Sequence, residues 1–429
     1  MDFEELGITS CFIKRLKERN INKATDIQTK IIPQLLDKKS VLFSSATGTG
    51  KTFAYLLPIL TKLLEQPFRE ASGRKSGASP RFVIIAPTLE LCTQIESELN
   101  FLTFNLNEEN PQALPFKTAL SSLLIIGSVS LDRQIETLRK TTPDIIIGNQ
   151  GRLLTLAKMG KLDFSAVNFI VMDEADRLVS GEMLDETSEL CKIIFRASGA
   201  NTFAACSATM NKKNREKILT DCLGVNKKSF NDIQFIDSKD SEVLFDRIEH
   251  WAIFSEKRRK DQMLRSLLSA LNANASGKGK KSRVKALIFT SRGDEALFVL
   301  SRLQHHHVSA AGLFGKVSKK PISGAARREA LDSFRDGNVM ALVSTDLAAR
   351  GLDIPGITHV ISLDVPADSE VYIHRCGRTG RAGNRGVMVT IGDETQMRLL
   401  AALEKKLKIK VYPKELHYGK ICAPAPIED

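Results

Sequence analysis

The stretch "FIVMDEADRLV" (Phe169–Val179) places three carboxylates, Asp173, Glu174 and Asp176, directly behind an apolar run. The chain as a whole carries 62 Lys and Arg against 50 Asp and Glu, a formal charge of +12, so acidic clustering is not its habit. A solvated loop closing a buried strand accounts for such a cluster. So does a site that holds a metal ion and a water molecule. Deciding between them requires a partner elsewhere in the chain.

That partner is "SATGTGKTF" (Ser45–Phe53), which follows the apolar run "VLFS" and opens an amphipathic stretch. Glycines at 48 and 50 let backbone N–H groups turn inward as a nest for phosphate oxygens at a helix N-terminus. At this spacing Lys51 reaches the β- and γ-phosphates and the Thr52 hydroxyl binds Mg²⁺. A chance Gly-Lys-Thr is common, but the strand before it and the helix after it are the context the motif needs. Asp173 then holds Mg²⁺ directly or through water, and Glu174 orients and deprotonates the attacking water. The solvated loop is the weaker reading.

A chain of 429 residues exceeds one ordinary core, which predicts two domains. Its 42% hydrophobic and 26% charged residues suit a globular protein. No apolar run reaches the roughly 18 residues of a membrane span. The opening "MDFEELGITS" lacks the basic and apolar regions of a secretory signal. Cysteines at 11, 92, 191, 206, 222, 376 and 422 form no CxxC pair, which points to a reducing, cytoplasmic setting and away from zinc. His305–His307 reads as a polar helix end. Charge is uneven: residues 1–240 hold 31 basic and 29 acidic side chains, the remainder 31 and 21. A basic second half suits a polyanionic partner. Much of its excess lies in "EKRRK" (256–260) and "GKGKKSRVK" (277–285).

Apolar runs alternate with helical stretches from "SVLFSSA" to "FAACSAT", and the rhythm restarts with "KALIFTS", "ALVSTD", "THVISLDVP" and "GVMVTIG". Continuous apolar strands between helices mark an α/β parallel sheet covered on both faces. The expected division is a nucleotide-binding domain over 1–237, a linker over 238–244 and a second domain over 245–429 with a short tail. Gln66–Pro80, Asn105–Lys117 and Asn272–Ser282 read as surface loops, and the chain is expected to end soon after its last helix.

The motif order resembles the DEAD-box RNA helicases from Phe3 to about Gly386: "DEAD" at 173–176, "SAT" at 207–209, "STDLAARGLDIP" at 344–355 and "HRCGRTGR" at 374–381. The resemblance implies two tandem RecA-like domains, with ATP and RNA bound across them. It implies an ATP site of Phe3, Thr25, Gln28, Ser45, Ala46, Thr47, Gly48, Thr49, Gly50, Lys51, Thr52 and Asp353. Gln28 in "ATDIQ" offers one donor and one acceptor, which suits the adenine edge. Arg378 and Arg381 resemble the family's arginine fingers, whose planar guanidinium groups neutralise phosphate charge. Asp176, Ser207, Thr209 and His374 would couple nucleotide state to closure. Pro87, Thr88, Gly127, Gly151, Arg152, Arg292, Thr345 and Gly351 would face RNA.

Departures fall mainly on that RNA face. Leu89 stands where the family carries arginine, Ser128 replaces a second glycine, and Asn149-Gln150 replace Thr-Pro. Gly324 stands at the glutamine of "QxxR", after an insertion around Lys316–Ser323. In the nucleotide motifs Ser45 replaces Ala or Gly, and Ile21 replaces an aromatic. The implied activity is local RNA unwinding or RNA–protein remodelling driven by ATP with Mg²⁺, by a chain expected to be a monomer that takes its targets from partner proteins. The rival is an RNA clamp that closes on ATP and hydrolyses slowly. Retained Glu174, Arg378 and Arg381 favour the enzyme, and a DNA helicase is disfavoured by the "DEAD" and "IQ" signatures together.

Overall fold

The computed structural model describes residues 1–46, 48–65, 79–104, 120–141, 143–181, 183–198, 202–225, 233–238, 247–276, 284–314, 316–317, 320–321, 324–349, 354–381 and 384–424. Thr47, Gly351, Asp353, Lys278, Lys280, Lys281, the segment 105–117 and all of the expected linker except Ser238 lie outside them. The chain divides into two compact units, Met1–Asp240 and Ser241–Asp429.

The first unit's strands are β1 (Val41–Ser44), β2 (Phe82–Ile85), β3 (Ser122–Ile125), β4 (Ile145–Gly148), β5 (Phe169–Asp173), β6 (Thr202–Ser207) and β7 (Gln234–Asp237). They form one sheet in the order β3-β4-β2-β5-β6-β1-β7, and every pairing is parallel. Alternate residues of each strand feed two separate cores. Val41, Phe43, Phe82, Ile84, Phe169 and Val171 pack with the helices Ser10–Glu18, Asp26–Leu36, Lys51–Glu65 and Leu89–Thr103. Leu42, Val83, Ile85, Ile170 and Met172 enter the opposite core with Leu153, Leu190 and Ile194. Burial on both faces is why these strands read as unbroken apolar runs.

The second unit repeats the plan with β8 (Ile248–Phe254), β9 (Ala286–Thr290), β10 (Ala310–Leu313), β13 (Ala341–Thr345), β14 (His359–Ser362), β15 (Gly386–Gly392) and β16 (Val411–Pro413). Their order is β10-β13-β9-β14-β15-β8-β16, again parallel throughout. Among the described residues two antiparallel strand pairs lie outside it: β11 (Lys316–Val317) with β12 (Lys320–Pro321), inside the expected insertion, and the hairpin of β17 (Glu415–His417) with β18 (Lys420–Cys422).

Two sequence expectations are corrected. The helix Lys260–Ser276 runs through residues 272–276 of the segment whose composition suggests a loop. The chain does not end soon after its last helix, Glu394–Leu407, because β16, β17 and β18 follow it.

Candidate active site

Parallel packing sets the C-terminal ends of β1, β5 and β6 side by side. Asp173 is the register partner of Cys206, and both project toward the core that holds the helix Lys51–Glu65. Tyr55, one turn beyond Thr52 on that helix, donates its hydroxyl to Asp173 Oδ2 at 2.9 Å. Cys206 Sγ donates to Oδ1 at 3.1 Å, and the Glu174 amide donates to the same oxygen at 2.8 Å. Burial, and after it the Asp173 carboxylate, raises the pKa of Tyr55 and of Cys206 well above the ordinary range. Both therefore remain protonated donors. Neither was singled out by the sequence reading, although the Thr52-to-Tyr55 spacing of one helical turn is a readable signal.

Glu174 turns the chain from β5 into the short helix Ala175–Leu178 in a left-handed conformation, with φ 47°. Non-glycine residues adopt that conformation at a cost. The residue is 9% exposed, and among the described residues its Oε2 has no hydrogen-bond partner. A buried, unsatisfied carboxylate oxygen is costly unless something polar comes to it. Lys51 Nζ donates to the carbonyls of Ser45 at 2.6 Å and Ala46 at 2.8 Å, so the ammonium sits within its own loop.

Gln28 joins two motifs. Its Oε1 accepts from the Thr25 amide at 2.9 Å, closing a capping box on the helix Asp26–Leu36. Its Nε2 donates to the Gly50 carbonyl at 3.0 Å. Gly50 has φ 90°, and a Cβ there would fall 2.3 Å from Gln28 Nε2. Glycine is therefore required at this position both by conformation and by the closeness of Gln28. Phe3, expected at the nucleotide, packs in the first core and is 2% exposed. Ile21 packs against the same core.

"SAT" meets "DEAD" through side chains. Thr209 Oγ1 donates to Asp176 Oδ2 at 3.1 Å, and Ser207 Oγ accepts from the Thr209 amide at 3.1 Å. The positions expected to face RNA divide by role. Thr88 caps the helix Leu89–Thr103 by accepting from the Leu91 amide, and Pro87 is buried. Gly127 and Ser128 are exposed. Arg152 Nη2 donates to the carbonyls of Gly127 and Val129 at 3.1 and 3.2 Å, so it braces their loop. Asn149 caps the helix Gln150–Lys158 by accepting from the Arg152 amide. Asn is as good a cap as Thr, so this departure from the family pattern preserves the local structure. Gly151 lies against Glu186, whose Oε2 would be 2.9 Å from an added Cβ.

In the second unit, Arg378 is 4% exposed and donates Nε to the His374 carbonyl at 3.2 Å. Arg381 Nε donates to the Gly377 carbonyl at 2.8 Å. His374 is buried, 4% exposed. Arg375, unremarked in the sequence, forks onto both Asp346 oxygens at 2.6 Å and reaches Asp364 Oδ2 at 3.1 Å. It thereby ties "STD" to "HRCGRTGR" from within the unit. Arg292 and Thr345 stand at loop and strand ends, Arg292 exposed and Thr345 9% exposed.

Comparison with known proteins matches residues 25–218 to the DEAD/DEAH box helicase family and residues 259–383 to the helicase conserved C-terminal domain. The chain is 32% identical over 416 residues to the DEAD-box ATP-dependent RNA helicase CshC of Bacillus cereus, covering 97% of this chain and 94% of that one. This chain belongs to the DEAD-box ATP-dependent RNA helicase family. CshA of Bacillus subtilis, a second DEAD-box relative, is 30% identical over 95% of this chain and 73% of its own. The fold of the DEAD-box core is shared with S. cerevisiae Dbp5 bound to RNA and ADP BeF3, at a TM-score of 0.76 and 23% identity over 96% of this chain and 95% of that one. It is shared also with Mss116p bound to ssRNA and AMP-PNP, at 0.77 and 24% over 96% and 79%. Two RecA-like parallel sheets are thus the architecture of this DEAD-box chain. No helix among its described residues is long and apolar enough to cross a membrane.

Proposed function

We propose that the chain hydrolyses ATP with Mg²⁺ to separate short RNA duplexes or remodel RNA–protein complexes, with Glu174 as the base that positions and deprotonates water. The observation that carries this reading is the buried Glu174 Oε2, unpartnered among the described residues and one residue from the anchored Asp173 carboxylate. The donor set fits Mg²⁺. Thr52 and Asp173 supply hard oxygens, and no group of three or more His, Cys, Asp or Glu among the described residues cages a metal. Mg²⁺ takes one or two protein oxygens together with substrate phosphates, and when bound it neutralises phosphate charge.

In this reading, nucleotide phosphates draw Lys51 away from the Ser45 and Ala46 carbonyls. Tyr55 and Cys206 hold the Asp173 carboxylate in one orientation. Arg378 and Arg381 neutralise developing charge. Gly48 and Gly50 lend backbone N–H groups, and Gln28 reads the adenine edge while bracing Gly50. RNA is the polyanionic partner. Seven free cysteines support a cytoplasmic, reducing location.

Glu174→Gln tests the reading. ATP binding should persist and RNA binding with ATP should be retained, while turnover falls by orders of magnitude. Near-normal turnover in that variant would refute the role given to Glu174. A wild-type rate that RNA does not raise above the unstimulated rate would favour a slow RNA clamp over a helicase.

A further inference from the structure

The last strands of the second unit bear a feature that the nucleotide and RNA motifs leave unused. Between Glu404 and Lys420 the chain carries Lys405, Lys406, Lys408, Lys410, Lys414 and Lys420 against two glutamates. All six lysines but Lys414 are exposed. The nearby carboxylates already have donors: Glu404 Oε1 accepts from the Val411 amide at 2.8 Å, Glu415 pairs with His417 at 2.8 Å, and Glu249 accepts from Trp251 Nε1 at 3.1 Å. Six lysines against two glutamates leave the stretch net positive.

Aromatic rings are interleaved with the lysines. Tyr412 of β16 is the register partner of Trp251 in β8. Lys410 lies over the Tyr412 ring at 5.2 Å and Lys414 over Trp251 at 5.5 Å. Tyr418 sits at the tip of the β17–β18 hairpin and is 104% exposed. The hairpin is anchored, because Leu416 and Ile421 pair across it and pack against the core. Tyr418 and Gly419 have φ 46° and 74°, both positive, as a two-residue turn of type I′ requires. Asn, Asp or Gly suits the first of these positions, whereas tyrosine pays for its Cβ there. Neither packing nor turn chemistry explains the ring, and strain of this kind points toward function.

We propose that this edge of the second sheet is an auxiliary docking surface for single-stranded RNA, with Lys410, Lys414 and Lys420 holding phosphates and Tyr418 and Tyr412 stacking bases. A basic track with interleaved aromatics is the chemistry of sequence-tolerant single-strand binding. β16 and the helix Gly324–Arg335, which packs on β10, lie at opposite edges of the sheet, so this surface is separate from the "QxxR" position at Gly324–Arg327. It also lies beyond residue 383, where the matched C-terminal helicase domain ends. The inference rests on the reading above only in taking RNA as the polyanion.

The test measures binding of a labelled poly(U) oligonucleotide to the full chain without nucleotide, across a salt series. Tyr418→Asn, which suits the turn, should weaken this binding roughly tenfold, and Tyr418→Phe should restore it. A triple variant of Lys410→Gln, Lys414→Gln and Lys420→Gln should flatten the log–log salt slope by about 2. Wild-type affinity and slope in both variants would overturn the proposal and leave the surface to a partner of another class. The same titration with ATP and Glu174→Gln keeps the two readings apart. If ATP fails to tighten RNA binding, the helicase reading suffers, while the nucleotide-free data still decide the sheet edge.

Discussion

Gln28 Nε2 donates to the Gly50 carbonyl at 3.0 Å while Gln28 Oε1 accepts from the Thr25 amide at 2.9 Å. One side chain, 2% exposed, thus fastens a helix cap to the phosphate loop. Gln28→Glu keeps the volume but turns a donor into an acceptor against the Gly50 carbonyl. Leaving buried polar groups mismatched costs about 1–3 kcal/mol. The first unit should therefore lose stability of that order before any nucleotide is added, and ATP affinity should fall as well. Thermal unfolding of the nucleotide-free protein checks this. Loss of ATP affinity with unchanged unfolding would show that the brace to Gly50 carries no weight.

Thr209 Oγ1 and Asp176 Oδ2 form the side-chain bond between "SAT" and "DEAD" at 3.1 Å. Thr209→Val removes the hydroxyl with little change in shape. ATP affinity should stay within a few-fold, because the bond joins the two motifs to each other. Strand separation per ATP consumed should drop well below wild type. Duplex separation and ATP turnover, measured in one mixture, give the ratio. An equal fall in both rates would place the bond in the chemistry instead of the coupling.

The sequence carried the nucleotide half of this site further than the RNA half, for a physical reason. Phosphate loops and strand-end carboxylates are local: Lys51, Thr52, Asp173 and Glu174 need only their own strand-turn-helix segments. Tyr55 and Cys206 meet Asp173 only because β5 and β6 pair in a particular register and the helix Lys51–Glu65 packs across them. Arg375 is similar, since its partners Asp346 and Asp364 come from two other strand ends. Phe3 likewise takes its place through packing in the first core, far along the chain from Gly50 and Lys51. Strands of three residues, such as β16 and β17, are too short to show an alternation, so the chain beyond residue 407 read as a bare end. Asn149 shows the converse: its residue type differs from the family pattern, but the capping geometry is kept.

His250 supplies a pH dependence. It is 2% exposed, its Nδ1 meets the Tyr372 hydroxyl at 2.9 Å, and burial lowers its pKa from 6.5 to about 4. A depressed histidine pKa means the unfolded chain takes up the proton first. The stability it contributes is complete above pH 6.5 and is lost as pH falls toward 4. Between pH 7 and 5 the loss approaches about 2 kcal/mol for this one group. Trp251, the single tryptophan, lies beside it in β8 and reports unfolding of the second unit by fluorescence. Urea midpoints at the two pH values should differ less in His250→Gln than in wild type. Identical differences would remove His250 as the source.

Leu89 opens the helix Leu89–Thr103 behind its Thr88 cap and packs, half-buried, against the first unit's core. The family carries an arginine at this position, so one phosphate contact is expected to be missing from the RNA face. Leu89→Arg can keep its aliphatic stem on the core and extend the guanidinium into water. A regained phosphate contact should steepen the log–log salt dependence of single-strand RNA binding by roughly 0.7. Affinity should rise without a change in sequence preference, because phosphate contacts carry no base information. The competing account shifts that charge to lysines of the second half, including Lys278, Lys280 and Lys281. On that account Leu89→Arg leaves the slope unchanged, and replacing those lysines by glutamine flattens it. Salt titrations of both variants, with ATP present so that the core site is engaged, distinguish the two. An unchanged slope in both would mean that neither position touches RNA.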